Sequence, residues 1–268
     1  MIIDKYKHIK YYGDQRKLPN SEILGNISSY ETFGTFDGPG IRLVLFFQGC
    51  PFQCKFCHNR DTWDTQEKTL MSVKDVEYLF KQYETFYGKG GLTVSGGEAT
   101  MQPEFLKSLF KKFKEKKIHT CLDTSAGCFN SRSEYSIQKY REILEYTDLV
   151  LLDIKQIDDE KHLELTGRSN KEVLEFAKFL DENGINTIIR HVLIPGYTDD
   201  DNDLKGLRQF INGLSNIVKI EVLPYHSAGE LKWKQMGLVY PLEGIKPPTK
   251  DRIRNAEHIL KSGFDYKK

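Results

Sequence analysis

The sequence of 268 residues lacks several features that would point to a membrane or a nucleic acid. No uninterrupted apolar stretch approaches the roughly 20 residues of a membrane-spanning helix. Residues 1–7 lack the apolar core and the small-residue cleavage site of a secretory signal peptide. The 39 basic and 38 acidic residues almost cancel, so no excess charge favours a phosphate backbone or an anionic membrane. These absences predict a cytoplasmic globular protein.

Cysteine is scarce as well, with five residues in the whole chain. Thiols stay reduced in the cytoplasm, where clustered cysteines are more typical of metal ligands or catalytic groups than of disulfides. Three of the five, Cys50, Cys54 and Cys57, lie within eight positions of one another. The loop that carries these three cysteines is therefore predicted to be a metal-binding or catalytic site.

Short apolar runs alternate with helical patterns from residue 41 to residue 262, which predicts a repeating βα unit. Ser72 and Asp75 predict a capping box at one helix start, and Pro103 predicts another helix start. Strands are predicted at residues 41–47, 92–95, 118–123, 148–154, 187–194 and 218–223, and further helices at residues 135–146, 171–183, 201–213 and 250–262. The pattern predicts one α/β domain over residues 25–268, either an open, partial barrel or a doubly wound sheet. Residues 1–24 are polar and weakly patterned, and they predict a loosely ordered extension.

Polar or glycine-rich residues stand at the end of almost every predicted strand, where both architectures place their ligand site. The three cysteines follow the first strand, and Ser95-Gly96-Gly97-Glu98 follows the second. The later strands contribute Asp123, Thr124, Asp153, Ile154, Lys155, Arg190 (within the fifth strand) and His226. This convergence predicts one shared site.

The three cysteines have the spacing C-x3-C-x2-C and no fourth cysteine beside them. Structural zinc needs four ligands, and His58 could be the fourth, but its adjacency to Cys57 is awkward for one tetrahedral ion. Buried thiols without a metal are a second interpretation, although the loop is rich in polar residues. A cubane iron–sulfur cluster fits better, because three thiolates leave one iron open to a further ligand. Cys121 and Cys128 lie elsewhere and are interpreted as non-ligands.

The cysteine spacing after a strand, followed by a Gly-Gly-Glu loop, resembles the signature of the radical S-adenosylmethionine (SAM) superfamily. A closer resemblance is to the family that activates the glycyl radical enzyme pyruvate formate-lyase. It extends from about Ile27 to the C-terminus in the segments SYETFGTFDGPGIRLVLFFQGC, CHNRDTWDT, VSGGEA, HTCLDTS, DLVLLDIKQ, IPGYTDDD and LPYH. The resemblance implies a partial, open (β/α)6 barrel, a 4Fe–4S cluster and SAM bound at the open iron.

The resemblance also implies a role for each motif residue. Cys50, Cys54 and Cys57 would ligate the cluster, and Asp37 and Arg190 would lie near the glycine loop of the partner. Asp123 and Asp153 would also lie near a monovalent cation. The residues implied to bind or flank SAM are Phe56, Cys57, His58, Gly97, Glu98, Asp123, Thr124, Asp153, Ile154, Lys155 and His226. Each has an ordinary alternative, such as a strand-end cap for the aspartates or a strand ion pair for Arg190.

The implied activity is that of a radical SAM oxidoreductase. One electron cleaves SAM, and the resulting 5′-deoxyadenosyl radical removes hydrogen from a glycine Cα of pyruvate formate-lyase. Flavodoxin or ferredoxin is implied as the electron donor. Three alternatives stay open. They are an activase for another glycyl radical enzyme, a radical SAM enzyme that binds RNA through the basic run at residues 111–117, and a zinc-binding interaction module.

Overall fold

The computed structural model describes residues 23–267 and divides the chain into two compact units. The described part of the first unit comprises residues 23–51, 62–124 and 132–150. The second comprises residues 52–61, 125–131 and 151–267. The predicted N-terminal extension lies outside the described residues except for Ile23 and Leu24, and Leu24 is already the first residue of a strand. The single domain that we predicted stays a prediction.

The first unit contains a mixed sheet and three helices. Its strands are β1 (Leu24–Gly34), β2 (Arg42–Phe47), β3 (Thr69–Ser72), β4 (Gly91–Gly96) and β5 (His119–Thr124). Its helices are α1 (Val73–Tyr87), α2 (Pro103–Glu115) and α3 (Glu134–Leu144). Strand β1 is antiparallel to both β2 and β3, whereas β2 pairs with β4, and β4 with β5, in parallel. The parallel strands bring the segments after β2 and β4 to the same edge, because Phe47 pairs with Gly96.

Strand β6 (Leu149–Asp153) has residues in both units, and the remaining elements belong to the second. These elements are α4 (Asp159–Thr166), α5 (Lys171–Glu182), β7 (Thr187–Leu193), α6 (Asp201–Ile211), β8 (Ile217–Pro224), α7 (Ala228–Gln235) and α8 (Lys250–Lys261). Strands β7 and β8 are parallel. The strand order is β3-β1-β2-β4-β5-β6-β7-β8, so the six predicted strands follow one another in chain order. The predicted α/β class with an open sheet is confirmed.

The helix starts follow from local chemistry. The Ser72 side chain accepts from the backbone N–H of Asp75, and the Asp75 carboxylate accepts from the backbone N–H of Ser72, so the predicted capping box is present. Pro103 is the first residue of α2. Five apolar side chains of α2 are buried, and Phe105 lies 5.6 Å from Phe47 of β2, measured between ring centroids. Hydrophobic burial of this stripe holds α2 on the sheet.

The basic run at residues 111–117 is the solvated side of α2 and of the turn that follows it. Three of its five lysines form ion pairs with acidic side chains, namely Lys112–Glu115, Lys114–Asp148 and Lys116–Glu77. The aromatic side chain within the run, Phe113, is buried. These ion pairs favour the ordinary interpretation of the run over an RNA-binding patch.

Four elements were not predicted from the sequence: β1, β3, α4 and α7. The second half of β1, from Ser28 to Phe33, has no buried residue, so no face of the strand carries the alternating apolar pattern. Helices α4 and α7 have eight residues each and bury only a few of them. Their formation depends on tertiary contacts, because a helix this short is marginal on its own.

Candidate functional site

The base of the cysteine loop is fixed by backbone hydrogen bonds in the first unit. The N–H of Gly49 donates to the Thr62 carbonyl at 2.8 Å, and the N–H of Cys50 donates to the Trp63 carbonyl at 3.4 Å. Gly49 has φ of +102°, a backbone conformation that favours glycine. The chain therefore leaves β2 in a bend that presents Cys50 immediately after the strand.

The Gly-Gly-Glu loop packs directly on this base. The N–H of Gly97 donates to the Phe47 carbonyl at 3.0 Å, and the N–H of Glu98 donates to the Gly49 carbonyl at 2.8 Å. A Cβ at Gly97 would lie 2.2 Å from the Gly49 carbonyl oxygen and 3.0 Å from the Cβ of Cys50. Gly97 is one of the residues that the family resemblance implies at the SAM site, but the backbone of the cysteine loop by itself already requires glycine at this position. Contact between Gly97 and SAM stays a prediction.

The Glu98 carboxylate is buried and binds two threonines. Its Oε1 accepts from the Thr124 hydroxyl at 2.6 Å and from the Thr100 hydroxyl at 2.7 Å. The Thr100 hydroxyl in turn accepts from Tyr140 at 2.8 Å. Thr124 ends β5, so Glu98 ties the end of that strand to the loop after β4. Sequence reasoning missed Thr100 and Tyr140, which have no motif to mark them.

Asp123 also lies at this end of the sheet in the first unit. Its Oδ2 accepts from the Ser95 hydroxyl at 2.6 Å, which joins the ends of β4 and β5 through side chains. The first unit thus brings together Cys50, Gly97, Glu98, Asp123 and Thr124, all at or just beyond the C-terminal ends of three adjacent parallel strands. This is the edge at which the sequence predicted a shared site.

Asp37 lies on a segment that a buried arginine holds against β4. The Thr93 hydroxyl donates to the Asp37 carbonyl at 2.6 Å and accepts from Arg42 Nε at 2.6 Å. Arg42 also donates to the Pro39 carbonyl at 2.9 Å, although its side chain is fully buried. Arg42 closes the motif DGPGIR, and sequence reasoning did not assign it a role.

The second unit holds the other two cysteines of the motif. Cys54 is buried, and burial raises the pKa of its thiol to about 12, although the nearby Lys155 opposes the shift. The N–H of Cys57 donates to the Cys54 carbonyl at 3.0 Å, which closes a tight turn between the two residues. The Sγ of Cys57 accepts from the N–H of Asn59 at 3.3 Å. Hydrogen bonds of this kind stabilise thiolate ligands in iron–sulfur sites.

Lys155 connects several of the predicted cofactor residues. Its Nζ lies 2.9 Å from Asp153 Oδ2 and 5.4 Å from the centroid of the Phe56 ring. Burial alone would raise the pKa of Asp153, but the positive charges of Lys155 and Arg190 lower it. The next residue, Ile154, donates its N–H to the Arg190 carbonyl at 3.0 Å. Cys54, Phe56, Asp153, Ile154 and Lys155 therefore form one neighbourhood, with a carboxylate that is ionised at neutral pH.

Arg190 has a partner within the strands. Its Nε lies 3.5 Å from Glu221 Oε2, and the two residues are opposite each other in the register of β7 and β8. The ion pair matches the ordinary alternative for Arg190, and its role toward a glycine loop stays a prediction.

His58 and His226 are neighbours in the second unit, with ring centroids 4.5 Å apart and His58 Nε2 3.2 Å from the His226 carbonyl oxygen.

Among residues 23–267, no three His, Cys, Asp or Glu side chains are grouped so that they could hold one metal ion. The thiols suit a cluster better, since its iron atoms are bound by separate cysteines rather than by one group of four ligands. A loop with three thiols, one of them already accepting an N–H bond at sulfur, is chemically suited to that role.

Comparison with known proteins identifies relatives over most of the chain. A family model described as the radical SAM superfamily matches residues 44–206. A pyruvate formate-lyase-activating enzyme of Streptococcus mutans is 47% identical over 247 residues, which cover 91% of this chain and 94% of the relative. A protein of the same name from Staphylococcus aureus is 45% identical over 237 residues, which cover 87% of this chain and 94% of the relative.

Solved structures show a similar fold at lower identity. A domain of a pyruvate-formate lyase-activating enzyme from Bacteroides vulgatus has a TM-score of 0.51 at 24% identity and covers 64% of this chain and 92% of its own. SuiB of Streptococcus suis, bound to the precursor peptide SuiA, has a TM-score of 0.56 at 20% identity and covers 78% of this chain and 43% of its own. The described residues include no helix that is long and apolar enough to cross a membrane.

Proposed function

The chain belongs to the radical SAM superfamily and, within it, to the family of pyruvate formate-lyase-activating enzymes, and we propose that it activates a pyruvate formate-lyase. The activation converts a glycine of the partner into a glycyl radical, with SAM consumed in the reaction. The observation that carries the proposal is the 47% identity to activating enzymes over nine-tenths of the chain, with C-x3-C-x2-C in the cysteine loop.

We propose that Cys50, Cys54 and Cys57 hold a 4Fe–4S cluster. When bound, such a cluster supplies one electron to SAM and leaves one iron open to it. Backbone hydrogen bonds position two of the cysteines, because the Cys50 N–H donates to the Trp63 carbonyl and the Cys57 N–H donates to the Cys54 carbonyl. Burial raises the pKa of the Cys54 thiol, so this residue would have to lose its proton to serve as a thiolate ligand of the cluster.

We propose that the motif residues described above bind SAM. In the first unit, Gly97, Glu98, Asp123 and Thr124 form a rigid end of the sheet. In the second unit, Lys155 and Asp153 offer a cation and a carboxylate beside the Phe56 ring, and Ile154, His58 and His226 lie on the neighbouring segments. Oppositely charged groups of this kind suit SAM, which carries an ammonium, a carboxylate and a sulfonium.

We propose that Asp37 and Arg190 contact the glycine loop of the partner. An extended peptide offers carbonyls and N–H groups, which an arginine fork and a carboxylate complement. Arg190 is held in one direction by Glu221, and the Asp37 segment is held by Arg42 and Thr93. Preorganised side chains of this kind would orient the glycine, and orientation matters most where a radical must reach one C–H bond.

The proposal also includes an electron donor, a monovalent cation and a cellular location. A flavodoxin or a ferredoxin would supply the electron. A monovalent cation would bind near Asp123 and Asp153, and activity measured with sodium, potassium or neither tests that part. A cytoplasmic location is part of the proposal, because thiols that ligate iron must stay reduced, as they do in that compartment.

The test is anaerobic reconstitution with iron and sulfide, followed by incubation with SAM, a reductant and purified pyruvate formate-lyase. We expect a glycyl radical in the EPR spectrum of the partner that requires both SAM and the cluster. A second reaction with another glycyl radical enzyme, such as a diol dehydratase, serves as the control. A radical on the diol dehydratase but not on pyruvate formate-lyase would replace our proposal with the alternative activase.

A further inference from the structure

Helix α7, which sequence analysis did not predict, contacts five consecutive residues at the end of the cysteine loop, from Cys57 to Asp61. We propose that α7 positions the cluster ligand Cys57 and that Trp233 is the positioning residue for it. The inference rests on the proposed function, because it concerns the cluster that the three cysteines would hold. All of the contacts lie within the second unit.

The first contact is a hydrogen bond to the ligand residue itself. The indole Nε1–H of Trp233 donates to the Cys57 carbonyl at 2.9 Å, across 176 positions of sequence. Trp233 is 6% exposed, so the bond is shielded from water. Its ring packs against Tyr240 at 5.9 Å between centroids, and Arg60 lies 5.5 Å from the Trp233 ring centroid. The indole ring therefore has two neighbours that restrict it while its N–H binds the Cys57 carbonyl.

The second contact is a close approach of backbones. Gly229, in the first turn of α7, lies so near the loop that an added Cβ would be 3.0 Å from the Cys57 carbonyl oxygen. The same Cβ would be 2.7 Å from Cδ2 of His58. Only glycine allows the helix to approach this closely without displacing the loop. Glycine is a poorer helix former than alanine, so the close packing on the loop gives a physical reason for its presence here.

The third contact is electrostatic. Lys232 Nζ lies 2.9 Å from Asp61 Oδ1 and 3.4 Å from Asn59 Oδ1. Asn59 is the residue whose N–H donates to the Cys57 sulfur. Lys232 thus helps to hold the residue that makes a hydrogen bond to the ligand atom, while Trp233 holds the carbonyl of the same ligand residue.

Together these three contacts restrict the turn that contains Cys57. Groups that orient a metal ligand affect metal affinity although they do not touch the metal. N–H bonds to sulfur also tune the electronic properties of iron–sulfur clusters. Loosening α7 should therefore change both how firmly the cluster is held and its EPR spectrum, while the three cysteines stay in place.

The test compares four proteins after anaerobic reconstitution: wild type, Trp233→Phe, Gly229→Ala and Leu231→Ala. Trp233→Phe removes the N–H donor and keeps an aromatic ring, and Gly229→Ala adds the intruding methyl group. Leu231 lies on the same helix and is 65% exposed, so Leu231→Ala is the matched control. The measurements are the rate of iron release to a chelator, the EPR spectrum of the reduced cluster with and without SAM, and thermal unfolding of the apoprotein.

We expect Trp233→Phe and Gly229→Ala to release iron roughly tenfold faster than wild type, with an altered EPR spectrum. Leu231→Ala should match wild type in both measurements. Wild-type iron release and spectra in the first two variants, with only a lower unfolding temperature, would mean that α7 is merely structural and would overturn the inference. If Trp233→Phe does not fold, Gly229→Ala decides the matter alone. A wild-type protein that takes up no cluster would instead overturn the proposed function, and this inference with it.

Discussion

Replacing Gly97 by alanine should damage the cysteine loop and not only the SAM pocket. The added methyl group would lie 2.2 Å from the Gly49 carbonyl oxygen, whereas ordinary contact begins at 3.4 Å, so backbone must move by about 1 Å. Overpacking of this kind costs about 1–3 kcal/mol. The movement would also weaken the bond from the Glu98 N–H to the Gly49 carbonyl, which contributes about 1 kcal/mol. We therefore expect Gly97→Ala to lower the free energy of unfolding by about 2–4 kcal/mol.

Two measurements check this prediction: urea unfolding of the apoprotein, and iron and sulfide content after reconstitution. Gly206→Ala is the matched control, because Gly206 lies inside α6 and an added Cβ would meet Ile157 at 3.5 Å, an ordinary contact. That variant should be more stable by about 0.5–1 kcal/mol and should take up a full cluster. A Gly97→Ala protein with wild-type unfolding and full iron content would refute the argument that Gly97 supports Cys50.

Three further substitutions test separate parts of the account. Arg190→Lys keeps the positive charge opposite Glu221 but loses the planar guanidinium fork. The cluster and SAM binding should persist, whereas glycyl radical formation monitored by EPR should slow roughly tenfold. A wild-type rate would mean that Arg190 only forms its ion pair with Glu221. Burial alone would raise the pKa of Asp148, but hydrogen bonds from Lys114 and the Thr120 N–H bring it below its usual value. The stabilising contribution of this carboxylate is therefore present above pH about 4 and is lost as pH falls through its folded-state pKa. Asp148→Asn should therefore cost about 1 kcal/mol in urea unfolding at pH 7 and progressively less below pH 4, and a cost that does not change with pH would contradict this. Lys117 is exposed and has φ of +60°, one residue beyond the C-cap of α2. Lys117→Gly should therefore raise the thermal midpoint by relieving about 1 kcal/mol of strain, and a lower midpoint would show that the Lys117 side chain contributes more than the strain costs.

The elements that sequence analysis predicted are those whose pattern is local. The six apolar runs were found because a buried parallel strand is apolar on both faces, and α1 was found from its Ser72 capping box. Strand β1 was missed because its second half is exposed on both faces, and α7 because only two of its eight residues, Gly229 and Trp233, are buried. In these two elements the determining contacts come from distant parts of the chain.

The candidate site also has some features that are visible in the sequence and others that depend on the fold. The cysteine spacing and the Gly-Gly-Glu loop are contiguous motifs, so they could be recognised without a structure. The reason for Gly97 could not, because it depends on how β2 and β4 align beneath the loops. The contact from Trp233 to Cys57 joins residues 176 positions apart and has no local signature. Sequence reasoning therefore recognised the motifs and predicted the cluster ligands, whereas the side chains that contact those motifs could be found only from the fold.

The most direct test of the central claim follows the hydrogen atom. Pyruvate formate-lyase labelled with deuterium at glycine Cα would be incubated anaerobically with the reconstituted protein, SAM and a reductant, and 5′-deoxyadenosine would be analysed by mass spectrometry. The account predicts one deuterium in 5′-deoxyadenosine, in step with the glycyl radical signal of the partner. Unlabelled 5′-deoxyadenosine from a protein with a full cluster, and no radical on the labelled partner, would contradict the claim that this chain is its activase.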